Sequence, residues 1–324
     1  SVSSFAQDRK YDVAAFLYPA YAADDPRLTP FWPMGIGEWE TVMSVQERWP
    51  GHYWKREPVW GYINEADPAV MEMEINQAVK HGVNVFIFDW YWYDGRPFME
   101  TTLNNGFLQA ENRNDMQFYL MWANHDVLNL WDTRLYDCKE DNVIWRGQVD
   151  REEFEKICKR NIEKYFKQPN YYKIDGKPVF MIYDLKNLIA GLGGLENTRR
   201  KLDSLREKCV KVGLPGLHLQ ITQWGDNIEN FSGVDSTMDL GSTHTSRIAM
   251  DLGFDSASNY QFVHFLDVCR DYGEILADAV PMWQRFYDLY DGNYFPHVSV
   301  GWDNNLRFRK FKPKIVKNNT PEAV

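Results

Sequence analysis

Residues Val83 to Gly95 read V-N-V-F-I-F-D-W-Y-W-Y-D-G, an apolar and β-branched run that ends in a carboxylate and aromatic rings. A strand that is covered on both faces is continuously apolar, so Val83–Phe88 is predicted to be a buried strand of a parallel sheet. The residues that follow, Asp89 to Asp94, combine flat apolar ring faces with hydrogen-bonding edges. Sugars present apolar C–H faces and many hydroxyls. This strand end therefore predicts a site for a sugar-like ligand.

Four further strand ends repeat the pattern. Each passes from apolar residues to aromatic and polar ones, at Tyr119–His125, Val179–Asp184, Leu219–Trp224 and Val298–Asp303. Ligands bind at the C-terminal ends of the strands in parallel α/β folds, so the five strand ends together indicate one binding face. The alternative for any single one is a solvated strand end with a Tyr or Trp at the core boundary.

Strand-like runs alternate with helical patterns along the chain. The clearest helix takes Asp67 as its N-cap, places Pro68 at the first helical position and stops at Gly82. Such alternation indicates a parallel sheet, and helices on a single outer ring indicate a barrel. The prediction is an α/β fold, a (β/α)8 TIM-type barrel, with residues 1–324 as a single domain. The predicted strands are Asp12–Tyr18, Val83–Asp89, Gln117–Ala123, Pro178–Tyr183, Leu217–Thr222, Thr237–Thr243 and His297–Trp302, and the other predicted helices are Arg151–Phe166, Glu196–Val212, Ser258–Leu276 and Met282–Tyr290.

The charge balance is acidic. The 324 residues include 36 Lys and Arg against 46 Asp and Glu, for a net charge of −10. Binding to phosphate backbones needs a concentrated basic surface, which argues against a nucleic-acid partner. The one basic stretch, Arg307–Lys314, is predicted to be a solvated loop. No apolar stretch approaches the roughly 20 residues of a membrane span, so no span is expected.

The cysteine and histidine spacings predict neither a metal nor a cofactor. Cys138, Cys158, Cys209 and Cys269 lie far apart with no C-x-x-C spacing and are interpreted as buried thiols. The seven histidines are scattered, with no H-x-H or H-E-x-x-H motif. The polar lead Ser1–Lys10 is of the kind that remains after signal removal or after tag cleavage. The expected location is periplasmic or extracellular, with the cytoplasm as the alternative.

The region of about residues 19–60 interrupts the alternation. It is rich in Pro, Gly and Trp, and includes Phe31–Trp39 and Trp49–Trp54. Long loops are usually functional or disordered, and so many aromatic residues favour order. We predict a cap over the strand ends that directs Glu38 and Trp39 at the cleft. A peripheral packing loop is the alternative.

Six short motifs, taken in order, resemble a known family. They are Phe16-Leu-Tyr-Pro19, Gly35-Ile-Gly-Glu-Trp39, Pro50-Gly-His-Tyr53, Phe86-Ile-Phe-Asp-Trp-Tyr-Trp92, Met121-Trp-Ala-Asn124 and Gly301-Trp-Asp-Asn304. Together they resemble the WbsX-like family, which is related to glycoside hydrolase family 99 and its endo-α-mannosidase-like members. The similarity runs from about Asp12 to Pro321. It implies a (β/α)8 barrel that acts on glycans at the C-terminal ends of its strands.

Two features depart from that family's pattern. In the glycoside hydrolase family 99 relatives, two glutamates near the eighth strand carry the chemistry, and WbsX-like members usually show N-E-W-x-E-G there. This sequence finishes with Asn318–Val324 ahead of such a motif. The last βα unit, with the eighth strand, is therefore expected to be missing. Many relatives carry an acidic residue where this chain has His125, so the sugar specificity is expected to differ.

Carboxylates at strand ends are the candidate catalytic groups, because glycoside cleavage ordinarily uses two of them. Asp89 and Asp303 rank first since each lies beside a tryptophan, Trp90 or Trp302. Aspartates can equally cap helices or orient a neighbouring ring. The predicted substrate-binding residues are Tyr18, Glu38, Trp39, Tyr91, Trp92, Trp122, Asn124, His125, Tyr183, Gln223, Trp224, His244 and Trp302.

These features together predict a glycan-active protein, interpreted as a glycoside hydrolase that cleaves within an oligosaccharide or polysaccharide. Neutral rings suit a neutral ligand, since binding it requires no desolvation of charge. One alternative is a glycosyltransferase in polysaccharide assembly, although no D-x-D motif stands at a strand end. The other is a non-catalytic glycan-binding protein with the same cleft.

Overall fold

The computed structural model describes residues 11–22, 25–129, 142–226, 244–308 and 310–324. Seven parallel strands form its main sheet, and each pairs with the next along the chain. These strands are β1 (Ala14–Leu17), β2 (Val85–Tyr93), β3 (Gln117–Trp122), β4 (Lys177–Ile182), β5 (His218–Thr222), β6 (Ser256–Ser258) and β7 (Tyr294–Phe295). The predicted parallel sheet is confirmed, including the pairing of β1 with β2 through Ala14 and Val85.

Most of the helices that separate the strands lie where the sequence patterns predict a helix. They are α1 (Trp39–Ser44), α2 (Pro68–Lys80), α3 (Arg151–Asn161), α4 (Leu185–Leu192), α5 (Leu195–Lys211), α6 (Thr245–Asp251) and α7 (Tyr272–Leu289). The Asp67 side chain accepts a hydrogen bond from Ala69 N at 2.9 Å, which confirms it as the N-cap of α2. None of the helices in these ranges is long and apolar enough to cross a membrane.

The sheet curls. The ring of Phe16 in β1 lies 4.8 Å from that of Tyr260, just after β6, and 5.8 Å from His297, just after β7. The first and last strands therefore approach each other, as in a barrel. No pairing between β1 and β7 occurs among the described residues, so an eighth strand that closes the barrel stays a prediction.

Two predicted elements in the last third of the chain are wrong. His297–Trp302 contains no strand; the seventh strand is Tyr294–Phe295, and it ends before Pro296, which has no N–H to donate to a ladder. Ser258–Leu276 is not a helix, because Ser258 ends β6 and α7 begins only at Tyr272. α7 also includes Met282–Leu289, so the helix that was predicted separately at Met282–Tyr290 is the second half of α7. The strand predicted at Thr237–Thr243 lies outside the described residues.

Strand alternation divides the aromatic residues between two faces of the sheet. Phe88 on the outer face packs 5.2 Å from Phe107, in the layer that covers the sheet. Asp89, its neighbour, points to the inner face, where Tyr119 donates a hydrogen bond to Gln220 of β5 at 3.0 Å. The inner face is therefore polar and aromatic near the strand ends, and the outer face is the apolar core.

Candidate active site

Asp89 lies at the centre of the candidate site, near the C-terminal end of β2. Its side chain is buried, with 3% of the residue exposed. Tyr260, which follows β6, donates a hydrogen bond from its hydroxyl to Oδ2 of Asp89 at 2.6 Å. Oδ1 is buried and has no hydrogen-bond partner among the described residues. Burial raises the pKa of Asp89 to about 8, against the lowering effect of the Tyr260 hydrogen bond. The carboxyl group is therefore protonated at neutral pH.

Four tyrosines surround this carboxyl group. Burial raises the pKa of Tyr91, Tyr183 and Tyr260 well above the ordinary value, and the charge that Asp89 can carry raises it further. The rings of Tyr183 and Tyr260 meet edge to face at 5.4 Å. Tyr18, which follows β1, is close enough to Tyr260 to raise its pKa in turn. All four hydroxyls thus stay protonated; the Tyr260 proton is donated to Asp89, so that hydroxyl can offer a ligand only its oxygen as an acceptor.

An ion pair between the cap and the C-terminal segment borders the tyrosines. Arg307 donates from Nε to Oε1 of Glu38 at 2.6 Å, and its terminal nitrogen lies 3.5 Å from the Tyr18 hydroxyl. Burial opposes the charge on Arg307, but Glu38 and Tyr18 more than offset this and raise its pKa. The other oxygen of Glu38, Oε2, is buried without a hydrogen-bond partner in the described part of the chain. The pair brings a second carboxyl group to the same face of the barrel.

The backbone before Glu38 fixes its position. Gly37 adopts φ +65°, and a Cβ there would lie 1.9 Å from the carbonyl oxygen of Ala20. The N–H of Glu38 donates to that same oxygen at 2.8 Å. Only glycine permits this close approach, so the sequence Gly37-Glu38 determines where the carboxyl group enters the site.

A wall of imidazole and indole rings completes the site. His125 lies between Tyr91, at 5.9 Å, and Tyr183, at 5.4 Å, and its Nδ1 is 2.8 Å from the carbonyl oxygen of Asp126. Trp224 stacks on His264 with a centroid distance of 4.3 Å and an angle of 6° between the planes. Burial lowers the pKa of His125, and it lowers that of His264 to about 3. Both imidazoles are therefore neutral at physiological pH.

A cavity of about 380 Å³ adjoins this wall. It is lined by Gly225, Asp226, Val263, His264, Phe265, Leu266 and Met282. Because His264 belongs to both, the cavity continues the site beyond the Asp89 carboxyl group. Within the ranges that the structure describes, no group of three or more His, Cys, Asp or Glu side chains is arranged to hold a metal ion.

The structure brings together about half of the predicted site residues. The residues that meet around the carboxyl group are Tyr18, Glu38, Asp89, Tyr91, His125, Tyr183 and Trp224. Trp39 lies farther out on the cap, where its ring contacts Tyr21 at 4.1 Å. The cap prediction is thus supported for Glu38, which reaches the strand ends.

Trp92 and Trp122 do not line the site. Trp122 is buried on the outer face of the sheet, 6.1 Å from Phe154 of α3. Trp92 lies on the same outer face as Trp90, 6.0 Å away, and is also buried. The prediction that these two rings face a sugar is corrected by strand alternation, since each neighbours an inward-pointing residue.

Asn124 and Gln223 have structural partners. Asn124 exchanges two hydrogen bonds of 2.7 Å with the backbone of Asp184 and so joins the ends of β3 and β4. Gln223 is fully buried and accepts a hydrogen bond from the Tyr290 hydroxyl at 2.6 Å. Both amides are therefore committed to the barrel framework, which leaves little capacity to bind sugar hydroxyls.

Three predicted residues lie outside the cluster around Asp89. Asp303 forms an ion pair with Arg56 of the cap and accepts a hydrogen bond from Asn305 N at 2.9 Å, so it anchors the cap to the C-terminal segment. Trp302 packs on a separate apolar cluster that includes Phe262. His244 is exposed at the start of α6. The expected catalytic pairing of Asp89 with Asp303 is not found.

Three residues of the site were missed by the sequence patterns. Tyr260 and His264 fall within the segment that was predicted to be a helix. Arg307 falls within the basic stretch that was predicted to be solvated, yet its side chain is only 27% exposed and faces Glu38. The one signal available for Tyr260 was its position as an aromatic residue two residues after the short strand β6.

Comparison with known proteins places this chain in a family. The family model described as Glycosyltransferase WbsX matches residues 13–324. Two curated relatives, both described as uncharacterized protein WxcX, come from two strains of Xanthomonas campestris pv. campestris, ATCC 33913 and B100. Each is 23% identical over 297 residues, which is 91% of this chain. The chain spans 39% of the length of these relatives.

Two solved structures are similar to this chain. A glycoside hydrolase-like protein is 14% identical with a TM-score of 0.51, over 81% of this chain and 71% of its own. The GH99 endo-alpha-mannosidase from Bacteroides thetaiotaomicron is 13% identical with a TM-score of 0.46, over 90% of this chain and 72% of its own. The first of these likenesses supports the barrel-like α/β fold.

Proposed function

The chain belongs to the WbsX glycosyltransferase family, a glycan-related family, and from that premise we propose that it is a glycoside hydrolase that cleaves within a neutral oligosaccharide or polysaccharide. In this proposal Asp89 is the proton donor to the leaving glycosidic oxygen. The observation that carries it is the buried carboxyl group of Asp89, whose Oδ2 accepts a hydrogen bond from the Tyr260 hydroxyl at 2.6 Å and whose Oδ1 has no hydrogen-bond partner among the described residues.

A general acid must hold its proton at the working pH and release it in the transition state. Enzymes achieve this with carboxyl groups by burying them, which raises the pKa. Burial brings the pKa of Asp89 to about 8, so the group is an acid across the neutral range. Its Oδ1 atom has no hydrogen-bond partner among the described residues, so it remains available for a substrate oxygen.

Glu38 is the proposed second carboxyl group. It is ion-paired with Arg307 and therefore carries a negative charge opposite the neutral Asp89. Two carboxyl groups in contrasting environments are the arrangement that divides acid and anionic roles between them. In the proposal the glycosidic C–O bond breaks as Asp89 transfers its proton to the leaving oxygen, and the Glu38 carboxylate stabilises the positive charge that develops on the sugar ring. A water molecule then forms the new C–O bond to that ring carbon and returns a proton to Asp89. Asp303 has no catalytic role in the proposal, because its side chain forms an ion pair with Arg56 and accepts a hydrogen bond from Asn305.

The rest of the site favours a neutral sugar. The tyrosine hydroxyls and the neutral imidazole of His125 provide hydrogen bonds without net charge, and Trp224 and Tyr183 provide ring faces and edges. The Arg307 cation that borders the tyrosines is already matched by Glu38. A substrate carboxylate placed at the tyrosines would therefore compete with Glu38 for this cation; Lys314, which lowers the pKa of His264, is a further cation on the side of the cavity.

A glycosyltransferase is the second candidate function, since the family description names that activity. It differs from a hydrolase in its acceptor, which is a sugar hydroxyl instead of water. It also needs a donor with an activated leaving group. The two functions can therefore be distinguished by the substrates that the protein consumes: a hydrolase needs only a glycan and water, whereas a transferase also consumes an activated donor.

The test is a turnover screen with two arms. In the first, the protein is incubated with neutral polysaccharides and new reducing ends are measured; in the second, it is given nucleotide sugars with the same polysaccharides, and nucleoside diphosphate release is measured. The proposal expects new reducing ends and no donor consumption. Asp89→Asn should lower turnover by about 100-fold or more. Asp184→Asn is the matched control, because Asp184 is also a buried strand-end aspartate with its pKa raised to about 7 by burial, but it caps α4. Donor-dependent product without new reducing ends would refute the hydrolase.

A further inference from the structure

A line of aromatic rings leads from the candidate site across the cap. Tyr18 in the site contacts Tyr21 at 6.3 Å between centroids, and Tyr21 contacts Trp39 at 4.1 Å. Trp39 in turn contacts Tyr62 at 5.5 Å. Tyr18, Tyr21 and Trp39 are partly buried, whereas Tyr62 at the far end of the line is 40% exposed. We name Tyr21, Trp39 and Tyr62, together with Trp60 two residues before Tyr62 in the sequence, the cap track.

Backbone contacts hold the cap track in place. The Trp39 indole donates a hydrogen bond to the carbonyl oxygen of Ile63 at 2.7 Å, which fixes the ring against the segment that carries Tyr62. The preceding residues form a turn in which Gly61 N donates to Pro58 O at 3.0 Å, with Gly61 at φ +73°. This turn displays Trp60, which is 49% exposed. Rings that are already ordered lose little entropy when a ligand binds.

Exposed rings in a row mark a binding surface more often than a chance arrangement. The cap track is continuous with the site around Asp89, so its ligand and the substrate should be parts of one molecule. Proteins that bind single-stranded nucleic acids recognise a polymer in a similar manner, by stacking successive bases on aromatic side chains.

The local charge restricts the ligand further. Tyr21 lies near Glu38 and Glu65, and after burial these carboxyl groups are the next causes that raise its pKa, to about 12. The Glu38 carboxylate is paired with Arg307, and burial raises the pKa of Glu65 to about 8, so these two groups add no net negative charge beside Tyr21 at neutral pH. The whole chain carries a net charge of −10, which disfavours a polyanion or an anionic membrane surface relative to a neutral polymer.

We propose that the cap track binds additional sugar units of a neutral polysaccharide whose cleaved bond lies at Asp89. This deepens the proposed hydrolase function and rests on it. The substrate class is then a polymer that extends several units to the cap side of the bond, not a disaccharide. Longer substrates should be preferred because each further unit adds a ring contact.

The test compares ring variants at exposed positions with matched controls. Trp60→Ala and Tyr62→Ala remove rings of the track. Val59→Ala removes a side chain of the same turn that is 98% exposed, and Tyr53→Ala removes a 79% exposed ring elsewhere on the cap. Binding is measured by electrophoresis through gels that contain mannan, dextran, xylan or, as the anionic polymer, alginate. Turnover is measured on trisaccharides prepared from each of the neutral polymers, and thermal unfolding checks that each variant folds.

The expected result is a loss of polymer affinity of roughly fivefold or more for Trp60→Ala and Tyr62→Ala. Trisaccharide turnover should stay within about twofold of wild type, and both controls should bind as the wild type does. Unchanged retardation of both ring variants, or a wild type that hydrolyses trisaccharides without being retarded, overturns the track and leaves the hydrolase standing. A wild type that neither binds nor cleaves any polymer defeats the proposed function and the track with it. Trp60-dependent sedimentation with phosphatidylglycerol vesicles, with no polymer binding, assigns the rings to a membrane and also overturns the proposal.

Discussion

Replacing Asp89 by Asn is expected to stabilise the protein increasingly as the pH rises. Burial raises the pKa of Asp89 from 3.8 to about 8. The folded protein therefore keeps this proton up to about pH 8, whereas the unfolded chain releases it near pH 4. The stability linked to the protonated group is fully present below about pH 4 and is lost as the pH rises through 8. Asparagine has no proton to release, so the variant escapes this loss.

The size of the effect follows from the linkage between protonation and folding. Each pH unit between the two pKa values changes the free energy of unfolding by about 1.4 kcal/mol. From pH 5 to pH 8 the upper bound is about 4 kcal/mol, and local relaxation around the buried group reduces it. We expect the stability of Asp89→Asn relative to wild type to rise by about 2 to 4 kcal/mol over this range.

The assay is urea unfolding of wild type and Asp89→Asn at pH 5 and pH 8. The difference between the two proteins is taken at each pH and then compared, so that the titration of all other groups cancels. The Tyr260 hydroxyl can still donate to the amide oxygen of the variant, which limits other changes. A stability difference that stays constant across this range to within about 0.5 kcal/mol would mean that Asp89 is ionised in the folded protein, and the acid assignment would fail.

Three further substitutions test the site. Arg307→Met should destabilise the protein by about 1 to 3 kcal/mol, because it leaves the Glu38 carboxylate without its partner, and adding Glu38→Gln should recover much of that loss in a double-mutant cycle by urea unfolding. Trp122→Ala should cost about 3 to 5 kcal/mol of stability, because the ring lies in the core against Phe154, while the polysaccharide affinity of the folded fraction stays unchanged in affinity electrophoresis; a selective loss of affinity would return this ring to the site. Asp303→Asn should lower kcat by no more than about threefold, since the side chain serves Arg56 and Asn305; a loss as large as that of Asp89→Asn would restore its catalytic role.

The sequence predicts the parallel sheet and several of its helices well because their signals are local. The first four residues of β2, Val85–Phe88, are all apolar, and α2 has Asp67, Pro68 and Gly82 at its boundaries. The two errors near the C-terminus have the opposite cause. β6 is the short run Ser256-Ala257-Ser258, which is buried, pairs with β5 and carries no apolar pattern. Only its pairing within the sheet identifies a segment of three small residues as a strand.

The candidate site was predictable where strand alternation applies. Asp89 and Tyr91 share a face because they are two residues apart, and Trp90 and Trp92 share the other. The same rule places Trp122 outward, between Met121 and Ala123, so this signal was present in the sequence although ring type alone suggested otherwise. Because successive side chains of a strand point to opposite faces of the sheet, this alternation separates site residues from core residues at each strand end.

The ion pair between Glu38 and Arg307 and the hydrogen bond between Tyr260 and Asp89 were not predictable in this way. Glu38 and Arg307 are 269 residues apart, and Asp89 and Tyr260 are 171 apart. Each contact depends on how the sheet curls and where the cap returns to it. A basic residue in a polar stretch looks solvated until its partner is known, and Arg307 is the example.

The most direct test of the central claim is the pH dependence of kcat/KM for wild type and Asp89→Asn, measured between pH 5 and pH 9 on a polysaccharide that the wild type cleaves. Because the proposed acid must be protonated, the wild-type value should fall as the pH rises through about 8, where the carboxyl group ionises. Asp89→Asn should be lower by about 100-fold or more at pH 6 and should lack that basic limb. An Asp89→Asn protein with the wild-type kcat/KM and the same basic limb would contradict the assignment of Asp89 as the proton donor.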